Sequence, residues 1–218
     1  MKRAILFANG RLDELPNFVK DSLQSDFIIA VDGGTHHCIS LGINPDVIIG
    51  DFDSLEPNTV SNYQRAGVEI IKYPVHKDET DLELALQIAL DRGFNEIFIL
   101  AALGDRWDMS ISNILLLAQA VFSKLDIRLL DGSKELFIIR GGDQVEIHSK
   151  SGFSLSLIPL AGDVSGITTS GLEYPLQAET LYFGSSRGIS NIFIQDHAQI
   201  HVTEGLLLCI YDRAGKLM

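Results

Sequence analysis

Residues 47–54 read VIIGDFDS, a short apolar run that stops at a glycine and is followed by two aspartates. Three further apolar runs of similar length also end at turn-forming residues. They are residues 4–8 before Asn9-Gly10, residues 27–31 before Asp32-Gly33-Gly34, and residues 96–102 before Leu103-Gly104. Short, continuous apolar runs bounded by turn residues are typical of strands that are buried on both faces of a parallel sheet.

Helical patterns lie between these strand patterns. Over residues 80–90 the apolar side chains recur at helical spacing, Thr80 begins a possible capping box, and Gly93 is suited to ending the helix. A second helix is predicted over residues 108–123, with Asp108 as its N-cap. The alternation of strands and helices predicts an α/β domain in which helices cover both faces of a parallel sheet.

The pattern changes after about residue 125, where helical periodicity stops and short β-rich runs recur. The runs are residues 127–130, 136–139, 153–158, 180–183, 192–195, 200–203 and 206–211. Strands of this length and spacing predict a small antiparallel β-sandwich or barrel. We place the boundary near Gly141-Gly142, which gives an N-terminal α/β domain over residues 1–140 and a C-terminal β-sandwich domain over residues 141–218.

The formal net charge of −12 makes several classes of partner unfavourable. Lysine and arginine are scattered, so the chain has no basic stripe of the kind that nucleic acid or an anionic membrane would require. No apolar stretch approaches the ~20 residues that span a bilayer, and the first apolar run is too short for a signal peptide. We therefore expect a cytoplasmic protein that binds neither nucleic acid nor membrane.

Several common catalytic motifs are absent from the sequence. Cys38 and Cys209 share no motif, so we expect buried, reduced thiols rather than a disulfide or a zinc site. The six histidines have no ligand spacing, and neither a Ser-His-Asp nor a Cys-His arrangement can be argued. The loop that defines P-loop kinases is also missing. Trp107, the single tryptophan, is expected to be a packing residue rather than a stacking platform.

A pair of carboxylates follows the predicted strand over residues 47–49, at the edge of a parallel sheet where ligands bind. Asp51 and Asp53 are two residues apart, so in an extended segment their side chains point to the same side. They then repel each other unless a cation lies between them. Oxygen ligands of this kind favour Mg²⁺, which also binds substrate phosphates. A solvated acidic turn is the alternative interpretation.

A second polar cluster, residues 77–81, opens the first predicted helix. Helix capping accounts for Thr80 and in part for Asp78, because threonine and acidic residues are the usual types at a helix start. Lys77 and Asp81 add more charge than capping requires. We predict that the cluster lies near metal or phosphate, with Asp81 as a further metal ligand.

Two other turns that follow predicted strands carry groups suited to a polyphosphate. In Asp32-Gly33-Gly34, the two glycines let the backbone approach a ligand closely and offer N–H groups to phosphate. Arg106 precedes the predicted helix start at Asp108, where phosphates bind readily. A plain tight turn and a surface ion pair are the alternatives for these two motifs.

Taken in this order, the motifs resemble the thiamin pyrophosphokinase family. The matching elements are Asp32-Gly33-Gly34, Gly50-Asp51-Phe52-Asp53-Ser54, Lys77-Asp78-Glu79-Thr80-Asp81, Gly104-Asp105-Arg106-Trp107-Asp108-Met109 with Asn113, residues 171–176, and Gly188-Ile189-Ser190-Asn191. The likeness covers nearly the whole chain. The chain departs from the family pattern at Asp105, where glycine is usual, at Met109, where histidine is commonest, and at Ile192, where an acidic residue is usual.

The resemblance implies an α/β domain that binds ATP and Mg²⁺, followed by a β-sandwich domain that binds thiamin and dimerises, in a homodimer with the active site at the subunit interface. The implied reaction transfers the pyrophosphoryl group of ATP to the hydroxyethyl oxygen of thiamin and gives thiamin diphosphate and AMP. Thiamin is expected to contact Lys77 and Asp81, and the Ser190-Asn191 turn of the other subunit.

Residue roles follow from the same resemblance. The implied catalytic residues are Asp51, Asp53, Asp78, Asp81 and Arg106. The implied nucleotide contacts are Asp32, Gly33, Gly34, Thr80, Arg106 and Asp108. Mg²⁺ is expected on Asp51, Asp53 and Asp81, and Arg106 is expected to stabilise charge on the phosphates. Asp78 or Asp81 could accept the alcohol proton, although an aspartate with an ordinary pKa is a weak base at neutral pH.

Three alternative functions stay open. A pyrophosphokinase of the same architecture could act on another hydroxyalkyl heterocycle, such as a pterin. A metal-dependent phosphohydrolase also uses Asp-x-Asp pairs, and it would release phosphate without an acceptor. A non-catalytic nucleotide or thiamin sensor would fit the loss of a metal ligand, whereas all the candidate carboxylates are present. The turn motifs of the C-terminal domain favour thiamin.

Overall fold

The computed structural model describes residues 2–213, apart from the side chain of Pro57. The chain divides into two compact units, one that ends at Gly132 and one that begins at Ser133. This division lies eight residues before residue 140, where the α/β domain was expected to end. The reason is that the strand Lys134–Arg140 pairs with the strand Leu206–Asp212 of the second unit. The outer limits of the two predicted domains, residues 1 and 218, lie outside the described residues.

Among the described residues, the N-terminal unit contains six strands and five α-helices. The strands are β1 (Arg3–Phe7), β2 (Phe27–Val31), β3 (Val47–Gly50), β4 (Glu69–Lys72), β5 (Glu96–Leu100) and β6 (Asp126–Asp131). The helices are α1 (Asn17–Ser22), α2 (Thr35–Leu41), α3 (Pro57–Arg65), α4 (Asp81–Asp91) and α5 (Trp107–Leu116). Two short 3-10 helices cover Asp32–Gly34 and Ala120–Phe122.

The six strands form a parallel sheet in the order β6-β5-β1-β2-β3-β4, which confirms the predicted parallel architecture. The chain runs outward from β1 to β4 and then returns to place β5 on the other side of β1. The strand order therefore reverses between β1 and β5. In open parallel sheets the carboxyl ends of the strands at such a reversal form a ligand-binding crevice.

Apolar burial explains why these segments are strands and helices. In β1, β2 and β5 the last four residues are all buried, as expected for strands covered on both faces. Helix α4 buries the predicted stripe, Leu82, Ala85, Leu86 and Ala89, and packs on β2 and β3. Full burial of each large apolar side chain contributes about 1.5–3 kcal/mol to stability, so this stripe is what holds α4 on the sheet.

Helix α5 differs from the prediction at both ends. It begins at Trp107, with Arg106 rather than Asp108 at the N-cap position, and it ends at Leu116 rather than at residue 123. Beyond Leu116 the backbone continues in turns and the 3-10 helix, while Leu117 and Phe122 stay buried. Buried apolar residues therefore continue past the true helix end, and periodicity alone could not locate it.

No helix within residues 2–213 is long and apolar enough to cross a bilayer.

The C-terminal unit consists of strands in two antiparallel sheets, and no helix occurs in its described part. The strands are β7 (Lys134–Arg140), β8 (Gln144–His148), β9 (Ser154–Pro159), β10 (Val164–Ser170), β11 (Glu179–Leu181), β12 (Asn191–Ile192), β13 (His197–His201) and β14 (Leu206–Asp212). One sheet has the order β12-β9-β14-β7 and the other the order β11-β10-β13-β8. Buried side chains of both sheets form one apolar core, which confirms the predicted sandwich. Cys209 in this core and Cys38 in the other unit are buried and form no disulfide, as predicted.

Candidate active site

Three aspartates meet where β2 and β3 end. One carboxylate oxygen from each of Asp32, Asp51 and Asp53 lies within 4.8 Å of the other two. The motifs are about 20 residues apart in sequence, but β2 and β3 are parallel neighbours, so their carboxyl ends coincide. Repulsion from Asp51 is the main cause that raises the pKa of Asp53, with smaller contributions from desolvation and Asp32. A bound cation would relieve this repulsion.

A turn rather than an extended segment brings Asp51 and Asp53 together. Asp53 N donates a hydrogen bond of 3.1 Å to Asp51 Oδ1, and Phe52 adopts a left-handed backbone with φ of 67°. The Phe52 side chain packs against the apolar core, so the two carboxylates stay at the surface of the turn. At Gly50 a Cβ would lie 2.9 Å from Asp32 Cβ, and only glycine lets the end of β3 approach Asp32 this closely.

Asp32 has one satisfied and one unsatisfied oxygen. Oδ2 accepts a hydrogen bond of 2.5 Å from Ser54 Oγ, which joins the two motifs directly. Oδ1 is buried and has no hydrogen-bond partner among the described residues. Leaving a buried acceptor unpaired costs about 1–3 kcal/mol, so this atom is suited to a donor or cation that the chain itself does not supply. Sequence reasoning assigned Asp32 to the nucleotide and missed its place in the acidic group.

Asp81 lies near this group but is held by Lys77. Lys77 Nζ is 2.9 Å from Asp81 Oδ1, and both side chains are mostly buried. Asp81 Oδ1 has this ion pair but no hydrogen bond among the described residues. The Asp81 charge still contributes, as the smallest of several causes, to the raised pKa of Asp53. The structure therefore brings the predicted ligands Asp51 and Asp53 together with Asp32, and leaves Asp81 paired beside them.

Thr80 and Asp78 occupy different positions at the start of α4. Thr80 is the N-cap, and its side-chain oxygen accepts a hydrogen bond of 3.2 Å from Glu83 N. This confirms the predicted helix start and leaves the Thr80 side chain engaged with the helix. Asp78 is exposed and makes no hydrogen bond or ion pair within residues 2–213.

Gly33 and Gly34 are buried by the chain itself. A Cβ on Gly33 would lie 2.3 Å from Asn9 Cγ, and a Cβ on Gly34 would lie 1.9 Å from Phe7 O. Both glycines thus allow the segment after β2 to pack against β1 and the loop that follows it. Their predicted contact with the nucleotide stays a prediction. The packing requirement could not be seen in the sequence, because it depends on which strand lies beside β2.

The loops after β1 and β5 are joined by backbone hydrogen bonds. Gly10 N donates to Ala101 O at 2.6 Å, and Arg11 N donates to Leu103 O at 2.8 Å. On the other side, His37 Nε2 lies 2.9 Å from Gly10 O. These contacts hold the loop after β1 in the crevice where the strand order reverses.

Arg106 and Trp107 are exposed beside this crevice. Arg106 pairs with Asp108 at 2.6 Å, and the two side chains are 74% and 67% exposed. The hydrogen bond from Arg106 is the main cause that lowers the pKa of Asp108. Trp107 is 76% exposed, so it does not pack in the core of this unit, and its packing role stays a prediction. It lies in the first turn of α5.

Backbone strain is concentrated in the predicted site motifs. Of the described non-glycine residues, five have positive φ, and four of these lie in or beside the motifs: Asp32, Phe52, Ala101 and Ser190. The fifth is Ala178. Such conformations cost about 1–3 kcal/mol each and persist where the surroundings impose them, often at functional sites.

In the C-terminal unit, Asn191 connects two of the predicted motifs. Asn191 Oδ1 accepts a hydrogen bond of 3.0 Å from Tyr174 N, and Asn191 Nδ2 donates one of 2.8 Å to Tyr174 O. Asn191 therefore holds the backbone of the stretch over residues 171–176. Ser190 N donates to Ser156 Oγ at 3.0 Å, while the Ser190 side chain is exposed and makes no hydrogen bond within the described part of the chain.

Comparison with known proteins identifies the family. A sequence model described as "Thiamin pyrophosphokinase, catalytic domain" matches residues 20–129, and one described as "Thiamin pyrophosphokinase, vitamin B1 binding domain" matches residues 144–207. The chain belongs to the thiamin pyrophosphokinase family. The thiamine pyrophosphokinase of Bacillus subtilis strain 168 is 30% identical over 210 residues, which cover 96% of this chain and 98% of the relative.

Solved structures of the thiamin pyrophosphokinase family have the same fold. The structure of the Bacillus subtilis thiamine pyrophosphokinase matches with a TM-score of 0.86 and 28% identity, covering 97% of this chain and 99% of that chain. The thiamin pyrophosphokinase from Geobacillus thermodenitrificans matches with a TM-score of 0.83 and 27% identity, and the whole length of both chains is covered.

Two residues near Arg106 can be compared with the thiamin pyrophosphokinase pattern: Asp105, which departs from it, and Asn113, which agrees with it. Asp105 is exposed and does not belong to the three-aspartate group. Asn113, which the pattern shares, is buried, and its Nδ2 donates a hydrogen bond of 2.7 Å to Ala102 O. Asn113 thus supports the loop that leads to Arg106, a role for which the sequence offered no signal.

Proposed function

We propose that the chain is an enzyme that transfers the pyrophosphoryl group of ATP to the hydroxyethyl oxygen of thiamin. The products are thiamin diphosphate and AMP. The observation that carries the proposal is the group of Asp32, Asp51 and Asp53 at the carboxyl edge of a parallel sheet, in a chain that belongs to the thiamin pyrophosphokinase family. An acidic protein needs such a group to bind a polyphosphate, because a cation must bridge the two negative partners.

The donor set fits Mg²⁺. All the available atoms are hard carboxylate oxygens, and the buried Asp32 Oδ1 lacks a partner among the described residues. Asp51 and Asp53 are the proposed central ligands, Asp32 adds an oxygen, and Asp81 keeps its predicted ligand role once its ion pair with Lys77 opens. When bound, the metal would neutralise charge on the phosphate oxygens.

The chemical step moves the β- and γ-phosphoryl groups together. The hydroxyl oxygen of thiamin forms a bond to the β-phosphorus. The bond between the β-phosphorus and the oxygen that bridges it to the α-phosphorus breaks, and AMP leaves with that oxygen. The hydroxyl proton passes to a carboxylate, for which Asp78 and Asp81 are the predicted candidates, or to water. Arg106 is exposed and paired only at the surface with Asp108, so its guanidinium is available to stabilise phosphate charge.

The C-terminal unit is proposed to bind thiamin. Ser190 offers an exposed side chain, whereas Asn191 is engaged with the Tyr174 backbone and is proposed to shape the pocket rather than to contact thiamin by its amide. Lys77 is the proposed thiamin contact on the N-terminal unit, and the Ser190-Asn191 turn that meets the same thiamin is proposed to belong to the other subunit. A cytoplasmic location stays a prediction from the sequence.

We also propose a homodimer. Trp107, Ile111 and Leu115 recur every four residues along α5 and are 76%, 54% and 47% exposed. Residues at this spacing lie on one face of a helix, and an exposed apolar face of this kind supports burial in an interface. Light scattering of the purified protein and of an Ile111→Lys variant is the test. A monomeric wild-type protein would contradict this part of the proposal.

The activity is tested by incubating the protein with ATP, Mg²⁺ and thiamin and separating the products by chromatography. We expect AMP and thiamin diphosphate in equal amounts, and neither without thiamin or without metal. Phosphate released without an acceptor would indicate the phosphohydrolase instead. Turnover with a hydroxymethylpterin but not with thiamin would indicate the pterin enzyme, and thiamin binding without turnover would indicate a sensor.

Variants of the aspartates test the metal site. Asp32→Asn, Asp51→Asn and Asp81→Asn are each expected to weaken Mg²⁺ binding, measured by calorimetry, and to lower turnover at least 100-fold, a typical effect of removing charge-stabilising groups. Asp91→Asn, on the exposed end of α4, is the matched control and should keep wild-type values. Normal turnover of Asp51→Asn would refute the proposed site.

A further inference from the structure

The loop after β1 has a backbone held by hydrogen bonds, and it carries the exposed cationic side chain of Arg11. Gly10 N and Arg11 N donate hydrogen bonds of 2.6 Å and 2.8 Å to the loop after β5, and His37 lies 2.9 Å from Gly10 O. A Cβ on Gly104 would lie 3.3 Å from Arg11 N, so the backbones of the two loops are in close contact. Arg11 is therefore anchored in the crevice where the strand order reverses.

The Arg11 guanidinium has only a weak partner. Its Nε lies 3.1 Å from Asp13 Oδ2, and the two side chains are 65% and 62% exposed. Within residues 2–213, Asp13 is the only carboxylate that pairs with Arg11. Exposed ion pairs contribute little to stability because water and salt screen them, so a phosphate can displace Asp13 readily.

The order of the strands places charges in a sequence along the edge of the sheet. Asp51 and Asp53 follow β3, Asp32 follows β2, Arg11 lies in the loop after β1, and Arg106 follows β5. Neighbouring strands are about 4.8 Å apart, so a chain of phosphates that starts at the acidic group and runs across the sheet next meets the two arginines. In strand order, the loop that carries Arg11 comes between the acidic group and the loop that carries Arg106, because β1 lies between β2 and β5.

We propose that Arg11 is a second phosphate-binding arginine that acts beside Arg106 and binds the polyphosphate chain of the nucleotide. This proposal rests on the proposed ATP-dependent function. Arg11 is paired at the surface in the free protein and exchanges Asp13 for phosphate oxygens when the nucleotide binds. Because its proposed place is on the polyphosphate chain, Arg11 should contribute more to the binding of ATP, which carries several phosphates, than to the binding of AMP.

The test compares three variants by calorimetric titration with ATP, and with AMP, in the presence of Mg²⁺ and without thiamin. Arg11→Gln is expected to weaken ATP binding at least about tenfold, as the loss of a hydrogen bond between charged groups predicts, and to change AMP binding much less. Asp13→Asn should leave ATP affinity unchanged or higher. Arg65→Gln, an exposed arginine at the end of α3, removes the same charge elsewhere and should change neither affinity.

The outcomes separate this proposal from the proposed function. If Arg11→Gln binds ATP as tightly as Arg65→Gln does, the role of Arg11 is refuted whatever the activity of the enzyme. If the wild-type protein binds ATP but does not convert thiamin, the proposed reaction fails while the Arg11 measurement still stands. In steady state, Arg11→Gln should raise the KM for ATP and leave the KM for thiamin at saturating ATP unchanged, a split that a merely unstable variant would not give.

Discussion

Asn191→Ala tests whether Asn191 positions the thiamin-binding region rather than contacting thiamin through its amide. The substitution removes the hydrogen bonds of 3.0 Å and 2.8 Å to the backbone of Tyr174, and so releases the stretch over residues 171–176. The bond of 2.9 Å from Ile192 N to Asn191 Oδ1 is also lost. The N-terminal unit makes none of these contacts, so metal and nucleotide binding should stay intact.

The expected loss of stability follows from these bonds. Each net hydrogen bond contributes about 0.5–1.5 kcal/mol, and the exposed position lets water replace part of that contribution. The two bonds to Tyr174 together then give a loss of about 1–2 kcal/mol in the free energy of unfolding. For a chain of this size, such a loss lowers the Tm by roughly 2–8 °C.

The assay combines thermal unfolding with steady-state kinetics, and Ser190→Ala is the matched control. Because the Ser190 side chain makes no hydrogen bond within the described residues, Ser190→Ala should keep the wild-type Tm. Both variants should raise the KM for thiamin, but only Asn191→Ala should lower the Tm. A wild-type Tm for Asn191→Ala would refute the argument that Asn191 supports this region.

The remaining predictions concern the acidic group, the glycines and the thiols. Repulsion from Asp51 raises the pKa of Asp53 above its ordinary value of 3.8, so ionisation of Asp53 destabilises the folded state as the pH rises past that value. Asp53→Asn should therefore raise the Tm of the metal-free protein at pH 7 more than at pH 4; an equal gain at both values would contradict this. Gly34→Ala places a Cβ 1.9 Å from Phe7 O and should cost at least about 3 kcal/mol in urea unfolding. Burial raises the pKa of the Cys38 thiol to about 12, so a thiol reagent at pH 8 should not label this cysteine until denaturant is added, and rapid labelling of the native protein would show the burial to be wrong.

Much of the N-terminal unit could be predicted because its strands are buried on both faces. Such strands appear in sequence as unbroken apolar runs, and β1, β2, β3 and β5 were all found in this way. Strand β4 was missed because its four residues are half-buried or exposed, which leaves only a short and weak apolar signal. Helices α1 and α3 were missed for a related reason, since α1 is short and α3 exposes much of its surface.

The motifs and their order along the sequence were sufficient to indicate the family. Each motif is local, since the spacing of aspartates within a turn depends only on the geometry of the chain there. The sequence by itself determined that the carboxylates at residues 51 and 53 lie together after a strand, and that Thr80 begins a helix. Only the tertiary structure decided that Asp32 joins them, that Lys77 holds Asp81, and that the loop with Arg11 lies against the loop of Arg106. These relations depend on which strands are neighbours in the sheet, and β1 pairs with a strand that lies more than 90 residues away in the chain. Pairing over such a distance is decided by packing of the whole core, and no local pattern records it.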